Sequence, residues 1–536
     1  MPRTRRPCGP SGRRWSCRSR CASWTRRSAR SPARSSRTSA RSGGTARGTS
    51  WSCTSPSTSW ATGGSSCCTT RAPCGSRAGC CSPRASSWRP CRGSSRRRKV
   101  RPVWRSTCAG RSPVASEGDA PGDLVELEVG PVAHGGHCVA RLRAAGEDGP
   151  GRVVFVRHAL PGERVRARLT ETGAKARFWR ADAVEVLEAS ADRVASAWPE
   201  AGPGGVGGGE LAHVAPAAQR AWKAAVLGEQ LQRLARVERD VPVRELPGDA
   251  ERGGLGWRTR VGFLADREGR AGMRRFRSHD VVPVTTMPLM SDALADLDLL
   301  GRRWRPGARI EAVAPAGGDQ PVVLVDGEPF DLRRGKADPR PNARTAVRER
   351  VTVGDRAWTY RVAAAGFWQV HREAPAALTG AVLDAVGDVS GARVLDLYSG
   401  AGLFTLPLTD AVGDAGTVVA VEGDARAVKD ARRNLHDRPQ VALHGGDVAA
   451  VLASGGAGPR ADVVVLDPPR VGAGGDVVHA VAGLAPRRVV YVACDPAALA
   501  RDVAYLAEEG YALEGVTGYD LFPMTHHVEA VAVLTR

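Results

Sequence analysis

The sequence predicts an α/β protein: a doubly wound parallel sheet in the C-terminal part, preceded by a small β-barrel and a mixed α+β middle region. Three observations lead there. From Val394 to Asp495, apolar segments recur at helix-length intervals, and each ends in an acid, a Gly-rich turn or a cysteine. That is the pattern of buried parallel strands alternating with helices. From residue 117 to 188, short alternating segments are separated by turns rich in Gly and Pro, which reads as a small barrel. Ahead of both, the composition changes abruptly at Glu117.

The chain has 536 residues and a formal net charge of +21, a length for roughly three or four domains. The charge is unevenly spread. Residues 1–116 hold 26 of the 77 Lys and Arg and no acid, leaving 51 basic against 56 acidic residues in 117–536, a net of −5. Eleven of the 13 cysteines precede residue 110; only Cys138 and Cys494 follow. The first segment lacks Leu, Ile, Phe and Tyr. It buries too little apolar surface to offset an ordering cost of about 1–2 kcal/mol per residue, so disorder is expected over 1–116. Runs such as Arg96-Arg97-Arg98-Lys99 suit an RNA-binding arm. The pairs Cys67-Cys68 and Cys80-Cys81 do not repeat a zinc-ligand spacing. The same composition arises when a GC-rich coding region is read in a wrong frame or upstream of its true start, and that origin is expected ahead of a natural tail. No early apolar stretch reads as a secretory signal, and no run of about 18 apolar residues predicts a membrane span. Two cysteines in 117–536 fit a reducing cytoplasm.

In 117–188, Val125-Glu126-Leu127-Glu128-Val129 alternates with period two. The turn His134-Gly135-Gly136-His137 follows. Strands at Arg152–Val156 and Val165–Leu169 flank the turn Leu160-Pro161-Gly162-Glu163, and a last strand runs from Trp179 to Leu187. This order, with the Pro161-Gly162-Glu163 turn and the segment Lys175-Ala176-Arg177-Phe178-Trp179, resembles a TRAM domain, an OB-like RNA-binding module. Lys175, Arg177 and Arg180 beside Phe178 and Trp179 read either as phosphate contacts with a stacking platform or as a solvated strand edge over core aromatics.

In the middle region, 189–345, the Gly-rich residues 201–209 read as a flexible loop. Residues 216–237 predict an amphipathic helix with Ala224, Leu227, Leu231 and Leu234 on its apolar face. Alternating segments follow at 260–264, 281–284 and 320–325. Arg258, Arg260, Arg274, Arg275 and Arg277 form a basic cluster around Trp257 and Phe276. It reads as an RNA-facing patch or as solvated strand ends.

The C-terminal region, 346–536, carries the chemistry. Val394-Leu395-Asp396-Leu397 runs into Tyr398-Ser399-Gly400-Ala401-Gly402 and then a helix; glycine there lets the backbone approach a ligand. A second strand ends at Glu422, 20 residues after Gly402, the spacing at which an acid meets ribose hydroxyls. A third ends in Gly445-Gly446-Asp447, a fourth in Asp467-Pro468-Pro469-Arg470, and a fifth in Cys494. Ligands bind at the carboxyl ends of such strands. A cysteine there is a candidate nucleophile, although a lone Cys in an apolar strand is commonly a core residue. In His526-His527-Val528-Glu529-Ala530-Val531, Glu529 stands among apolar strand residues; burial disfavours its ionised form, which suits a proton acceptor, and a capping or ion-paired acid is the other reading.

Asp-Leu-Tyr-Ser-Gly-Ala-Gly, Asp-Pro-Pro-Arg, Ala-Cys-Asp-Pro and His-His-Val-Glu, in this order, resemble the RNA uracil-C5 methyltransferase family. With a TRAM barrel ahead, the resemblance is to its ribosomal branch, which makes 5-methyluridine in 23S rRNA. It spans about 117–536. It implies a class I methyltransferase domain (Rossmann-like, doubly wound) and S-adenosyl-L-methionine as cofactor. Cys494 is the implied nucleophile at uracil C6 and Glu529 the implied base that removes the C5 proton. The implied cofactor contacts are Gln369, Tyr398, Gly400, Glu422, Asp447 and Asp467, with Asp467 between cofactor and target base. Many relatives carry a cysteine cluster holding an iron–sulfur centre. Here the matching stretch is Val206-Gly207-Gly208-Gly209-Glu210-Leu211, with Thr286 later, so no iron–sulfur cluster and no other metal is expected. His371 and Leu403 stand where relatives often have Asn.

The expected function is therefore uridine-C5 methylation, most directly of 23S rRNA, by a cytoplasmic protein that nothing requires to be more than a monomer. A transfer RNA enzyme acting in the T loop is the alternative. An RNA-binding protein with a dead catalytic fold is opposed by Cys494 and Glu529. A nicotinamide-dependent oxidoreductase is opposed by Thr405 in place of a third glycine.

Overall fold

The computed structural model describes residues 120–143, 151–173 and 175–536; the expectations for 1–116 lie outside them. Five strands close into a barrel in the order β1-β2-β3-β5-β4: β1 Leu124–Ala133, β2 His137–Leu142, β3 Arg152–Arg157, β4 Arg164–Glu171 and β5 Trp179–Glu188. Alternation decides the faces. Val125, Leu127 and Val129 of β1 and Val165, Ala167 and Leu169 of β4 point inward. The strand β2 was not foreseen, because its inward residues, Cys138 and Ala140, are small. Gly135 and Gly136, at φ 91° and 76°, make the β1–β2 turn; a residue with a Cβ pays a steric penalty there.

Residues 201–209 are packed, contrary to the flexible loop expected. Val206 is buried and bridges to Arg275. A Cβ on Gly209 would lie 2.7 Å from the Ala201 methyl and 2.9 Å from the Trp198 ring. Glycine here permits close approach rather than slack. The helix α1, Pro216–Gln230, continues as a widened π turn over Leu231–Ala235. Leu227 and Leu231 are buried as expected, but Leu234 is 45% exposed. Opening the hydrogen-bond ladder to i→i+5 shifts the angular spacing and carries Leu234 off the face. Gln219, Trp222, Lys223 and Val226 complete the buried face instead.

A short strand β6, Val243–Arg244, follows. Then come β7 Arg260–Ala265, β8 Ala271–Arg274, β9 Val281–Pro283, the helical turn α2 Asp292–Ala295, β10 Arg309–Val313, β11 Val322–Val325, β12 Glu328–Asp331 and β13 Lys336–Ala337. The strands form one antiparallel sheet, β13-β12-β11-β10-β7-β8-β9, over a core that includes Trp257, Phe263, Leu289 and Ile310. The hairpin β14 Ala346–Val353 and β15 Arg356–Ala363 leads into the C-terminal sheet.

That sheet has eight strands, in the order β18-β17-β16-β19-β20-β22-β21-β6. Its strands are β16 Arg393–Leu397, β17 Thr417–Glu422, β18 Val441–Gly445, β19 Val463–Leu466, β20 Arg488–Ala493, β21 Ala512–Tyr519 and β22 Glu529–Thr535. The first five are parallel, and β22 runs antiparallel between β20 and β21. Both faces are covered, so both alternating sets are apolar. Leu395, Leu397, Val419 and Val421 pack under α1, α6 Val448–Ala453, α7 Gly475–Gly483 and α8 Pro496–Glu508. Val394, Val418, Val463 and Val465 pack under the β14–β15 hairpin, α3 Ala374–Val386, α4 Thr405–Val412 and α5 Ala425–Asn434. The chain thus visits this sheet twice: β6 pairs with β21, Val243 opposite Gly518, and α1 seals one face. Among the described residues, no helix is long and apolar enough to cross a membrane.

Candidate active site

Parallel register gathers the strand ends along one edge. At the end of β16, Tyr398, Gly400 and Gly402 have φ 65°, 57° and 92°. The Gly400 N–H donates to Glu422 Oε2 at 2.8 Å, the Asp424 N–H to Glu422 Oε1 at 2.6 Å, and the Gly446 N–H to the Glu422 carbonyl at 2.9 Å. Glu422 therefore ties together the ends of β16, β17 and β18, the first two through its carboxylate and the third through its main-chain carbonyl. Nothing lies within 4 Å of where a Gly400 Cβ would stand. Each Glu422 oxygen carries two lone pairs, and one backbone N–H occupies only one. An open glycine turn beside a carboxylate with spare acceptors fits a ribose diol, as the adenosyl group of the implied cofactor presents. Asp447, exposed, accepts from the Ala450 N–H at 3.0 Å and caps α6. Tyr398 is half-buried, and its phenol is pushed up to about 12 by burial and then by Asp447 and Asp502. Gln369 is buried in the segment between β15 and α3. That segment crosses the head of α5, where Arg426 Nη1 donates to the Ala365 carbonyl at 2.6 Å.

The register of β20 and β22 sets Ala493 opposite Ala530. The next residues outward on the two strands are Cys494 and Glu529. Glu529 is 3% exposed. Burial, then the charge of Asp467, holds its carboxyl well above the ordinary range, and Arg470 opposes this. Burial, then Glu529 and Asp467, pushes the Cys494 thiol up to about 12, again against Arg470. Asp467 follows β19, and burial, then Asp396 and Glu422, raises it. The structure thus assembles Cys494, Glu529, Asp467 and Arg470 at one sheet end, beside the Gly400–Glu422 corner.

Several residues that shape this site were not singled out from the sequence. Asp396, fully buried and hydrogen-bonded by Thr405 Oγ1, is pushed up to about 7 by burial. Asp502 of α8 accepts from Tyr491 OH at 2.6 Å, Ala473 N at 2.7 Å and Gly474 N at 3.3 Å, which anchors the loop after Asp467-Pro468-Pro469-Arg470. On the other side, Lys223 Nζ donates to Asp520 and, at 3.0 Å, to the Phe522 carbonyl. Gln219 Oε1 accepts from Met524 N at 2.7 Å, and Leu211 N donates to the Met524 carbonyl at 2.9 Å. These hold the segment entering Glu529, with Met524 at φ 68°. The available signal was a polar residue at a core position of a helix: Gln219 and Lys223 in α1, Asp502 in α8.

His371 is fully buried and turned away from this corner. It stacks on Trp257 with centroids 5.5 Å apart, accepts from the Glu373 N–H on Nδ1 at 3.0 Å, and meets Asp249 through Nε2 at 3.1 Å. The basic cluster divides. Arg258, part-buried, donates through Nε to the Arg260 carbonyl, and Arg260 is buried and pairs with buried Glu349 at 3.4 Å. Arg274, Arg275 and Arg277 are exposed at the β8–β9 turn. Lys175 and Arg177 are exposed, as is Phe178 at 38%, with the Arg180 guanidinium 4.9 Å from its ring centre. Trp179 is part-buried and donates to the Gly173 carbonyl.

The iron–sulfur position is filled by other chemistry. Glu200 accepts from the N–H and hydroxyl groups of Thr285 and Thr286, at 2.8–3.0 Å. Cys138 is buried in the barrel and donates to the Ala159 carbonyl. A carboxylate–threonine clamp offers no thiolate, so these residues do not fit a cluster. Among the described residues, no three His, Cys, Asp or Glu side chains form a group able to hold a metal.

Comparison with known proteins agrees with this geometry. The tRNA (Uracil-5-)-methyltransferase family model matches residues 460–536, and the TRAM domain model matches 120–184. A model of protein-L-isoaspartate(D-aspartate) O-methyltransferase matches 364–461, over the Gly400–Glu422 corner. An uncharacterized RNA methyltransferase of Streptomyces coelicolor is 44% identical over 445 residues, covering 79% of this chain and 95% of its own. A 23S rRNA (uracil(1939)-C(5))-methyltransferase of Acinetobacter baylyi is 32% identical over 427 residues, covering 72% of this chain and 89% of its own. In fold, the chain is similar to the crystal structure of Pyrococcus abyssi tRNA (uracil-54, C5)-methyltransferase in complex with S-adenosyl-L-homocysteine, with a TM-score of 0.56 and 20% identity over 76% of this chain and 99% of that one. The barrel, the Gly400–Glu422 corner and the cysteine–glutamate sheet end fall within the residues matched by the three family models, and, with relatives of this identity and coverage, the chain belongs to the RNA uracil-C5 methyltransferase family.

Proposed function

We propose that this protein forms 5-methyluridine in 23S rRNA, acting as a cytoplasmic monomer with Cys494 as nucleophile and Glu529 as base. The observation that carries the reading is the antiparallel register in which β20 runs out at Cys494 where β22 begins at Glu529. Gln369, Tyr398, Gly400, Glu422, Asp447 and Asp467 would hold S-adenosylmethionine, which when bound would supply the methyl group. Uracil C5 is a weak nucleophile. Addition of the Cys494 thiolate to C6 converts the ring to an enolate whose C5 is reactive. Once C5 carries a methyl group, the Glu529 carboxylate takes the C5 proton, the C6–S bond breaks, and the thiolate leaves with its electron pair. Arg470 is the cation beside both groups and favours their ionised forms. A base reaches this edge only after leaving its stack.

Support for the ribosomal substrate comes from the relative named for 23S rRNA, which shares most of this length. A transfer RNA substrate is the second reading, favoured by the description of the family model over 460–536. A fluorine at C5 cannot leave as a proton, so an RNA containing 5-fluorouridine at the target should trap the Cys494 adduct. The expected result, read by denaturing gel, is an adduct with the wild type and none with Cys494→Ala; an adduct with Cys494→Ala would refute the nucleophile.

A further inference from the structure

The barrel also reaches the sheet end. At its β1–β2 turn, His134 Nε2 lies 3.2 Å from Asp495 Oδ2. Asp495 is the residue after Cys494, and its other oxygen, Oδ1, accepts from Ala497 N at 3.0 Å and Ala498 N at 2.9 Å to cap α8. The two carboxylate oxygens thus hold different things, one the helix and one the barrel. Farther along the same turn, a Cβ on Gly136 would stand 3.1 Å from the His526 ring. His526 lies on the segment entering Glu529, and its Nδ1 is 3.6 Å from Glu210 Oε2. The turn is wedged between the residue that follows Cys494 and the segment that precedes Glu529. It has a firm base, since the barrel core continues into Leu211, Val214, Trp222 and Val226.

We propose that the β1–β2 turn is a strut for the nucleophile, with His134 a positioning residue that fixes Asp495, and through it Cys494, for addition to C6. The barrel then serves the chemical step as well as RNA capture. This rests on Cys494 being the nucleophile. Residue 494 lies where a strand gives way to a helix, and its orientation depends on what fixes residue 495. The cap constrains Asp495 from the helix side alone; the imidazole constrains it from outside the domain. Misplacing a reacting atom by about 1 Å costs on the order of 10²-fold in rate. The charged groups around His134 are Asp495 at the head of α8 and Glu229 on α1; both favour the imidazolium, burial opposes it, and the balance raises its pKa. A raised histidine pKa means that the ion pair is complete on the acid side and fades as pH rises through it.

The test uses the full chain and RNA containing 5-fluorouridine, measuring the adduct-formation rate and RNA affinity separately. His134→Gln should slow adduct formation about tenfold or more while RNA affinity stays within about twofold. Asp495→Asn keeps the helix cap and should give the same loss, and the double variant should lose no more than either single one. His134→Lys, charged throughout, should match wild type at low pH and exceed it as pH rises. Wild-type adduct rates in His134→Gln, losses that multiply in the double variant, or an affinity loss as large as the rate loss would each overturn the strut. If those occur while Cys494→Ala forms no adduct, the strut alone fails; if Cys494→Ala forms the adduct, the nucleophile fails and the strut with it.

Discussion

Half-buried Cys494 and buried Glu529 share one sheet end, and the Glu529 charge raises the cost of ionising Cys494. Burial is the larger cause for both, with Glu529 and Asp467 adding to it at Cys494. Both must ionise to act, and raised acids ionise only as pH rises, so adduct formation and turnover should increase from about pH 6.5 to 9, with the gain partly offset as the His134–Asp495 pair weakens. A profile falling over that range would show that the controlling group acts in its protonated form. The two residues also separate by step. Glu529→Gln leaves the thiol in place but removes the proton acceptor. With ordinary uridine RNA it should accumulate methylated covalent adduct and lose turnover by on the order of 10²–10⁴-fold, measured by quenched-flow and denaturing gel. Turnover near wild type would remove Glu529 from the base role.

Among the elements, α1 does unexpected work. It lies early in the chain, yet its Lys223 is fully buried against Asp520 and the Phe522 carbonyl, bracing the segment that enters β22. Removing one partner of a buried pair leaves the other charge stranded, at a cost of about 3–5 kcal/mol. Lys223→Met should therefore lower stability in urea by about that much, and adding Asp520→Asn should recover most of it. A Lys223→Met protein within about 1 kcal/mol of wild type would show that Asp520 finds other solvation. This helix also marks how far the sequence is legible. The five parallel strands were readable because each is an apolar run closed by an acid, a glycine turn or Cys494, and their order needs no distant partner. The face of α1 was misread because Gln219 and Lys223 occupy core positions, which only Met524 and Asp520, about 300 residues away, explain. The strands β2 and β6 escaped because one packs small residues and the other is two residues long. The basic cluster was misjudged because proximity in sequence says nothing of side: Arg260 points inward to Glu349, while Arg274 and Arg275 point to solvent.

For the molecule as a whole, net charge misleads. Residues 1–116 contribute +26 to the total of +21, and 117–536 carry −5, so in 117–536 attraction for RNA must come from local patches. Two patches adjoin. The Arg157 guanidinium, from the barrel, lies 3.6 Å from the Phe276 ring centre, and Arg277 pairs with Glu171 at 3.4 Å. The β8–β9 turn and the barrel edge with Lys175, Arg177 and Phe178 therefore form one basic, aromatic face. Replacing Arg274 and Arg275 with Ala should weaken binding across sequences and reduce the slope of log Kd against log salt by roughly 1.4, at about 0.7 per phosphate contact with a single strand. An unchanged slope would place RNA elsewhere.

We propose that this sheet end methylates uridine C5 in large-subunit RNA. This is tested most directly by incubating the protein and labelled S-adenosylmethionine with unmodified 23S rRNA and transfer RNA, then mapping the modified nucleoside. The expected product is 5-methyluridine at a discrete position in 23S rRNA and none in transfer RNA. Label confined to the transfer RNA T loop, or to any atom other than uridine C5, would contradict it.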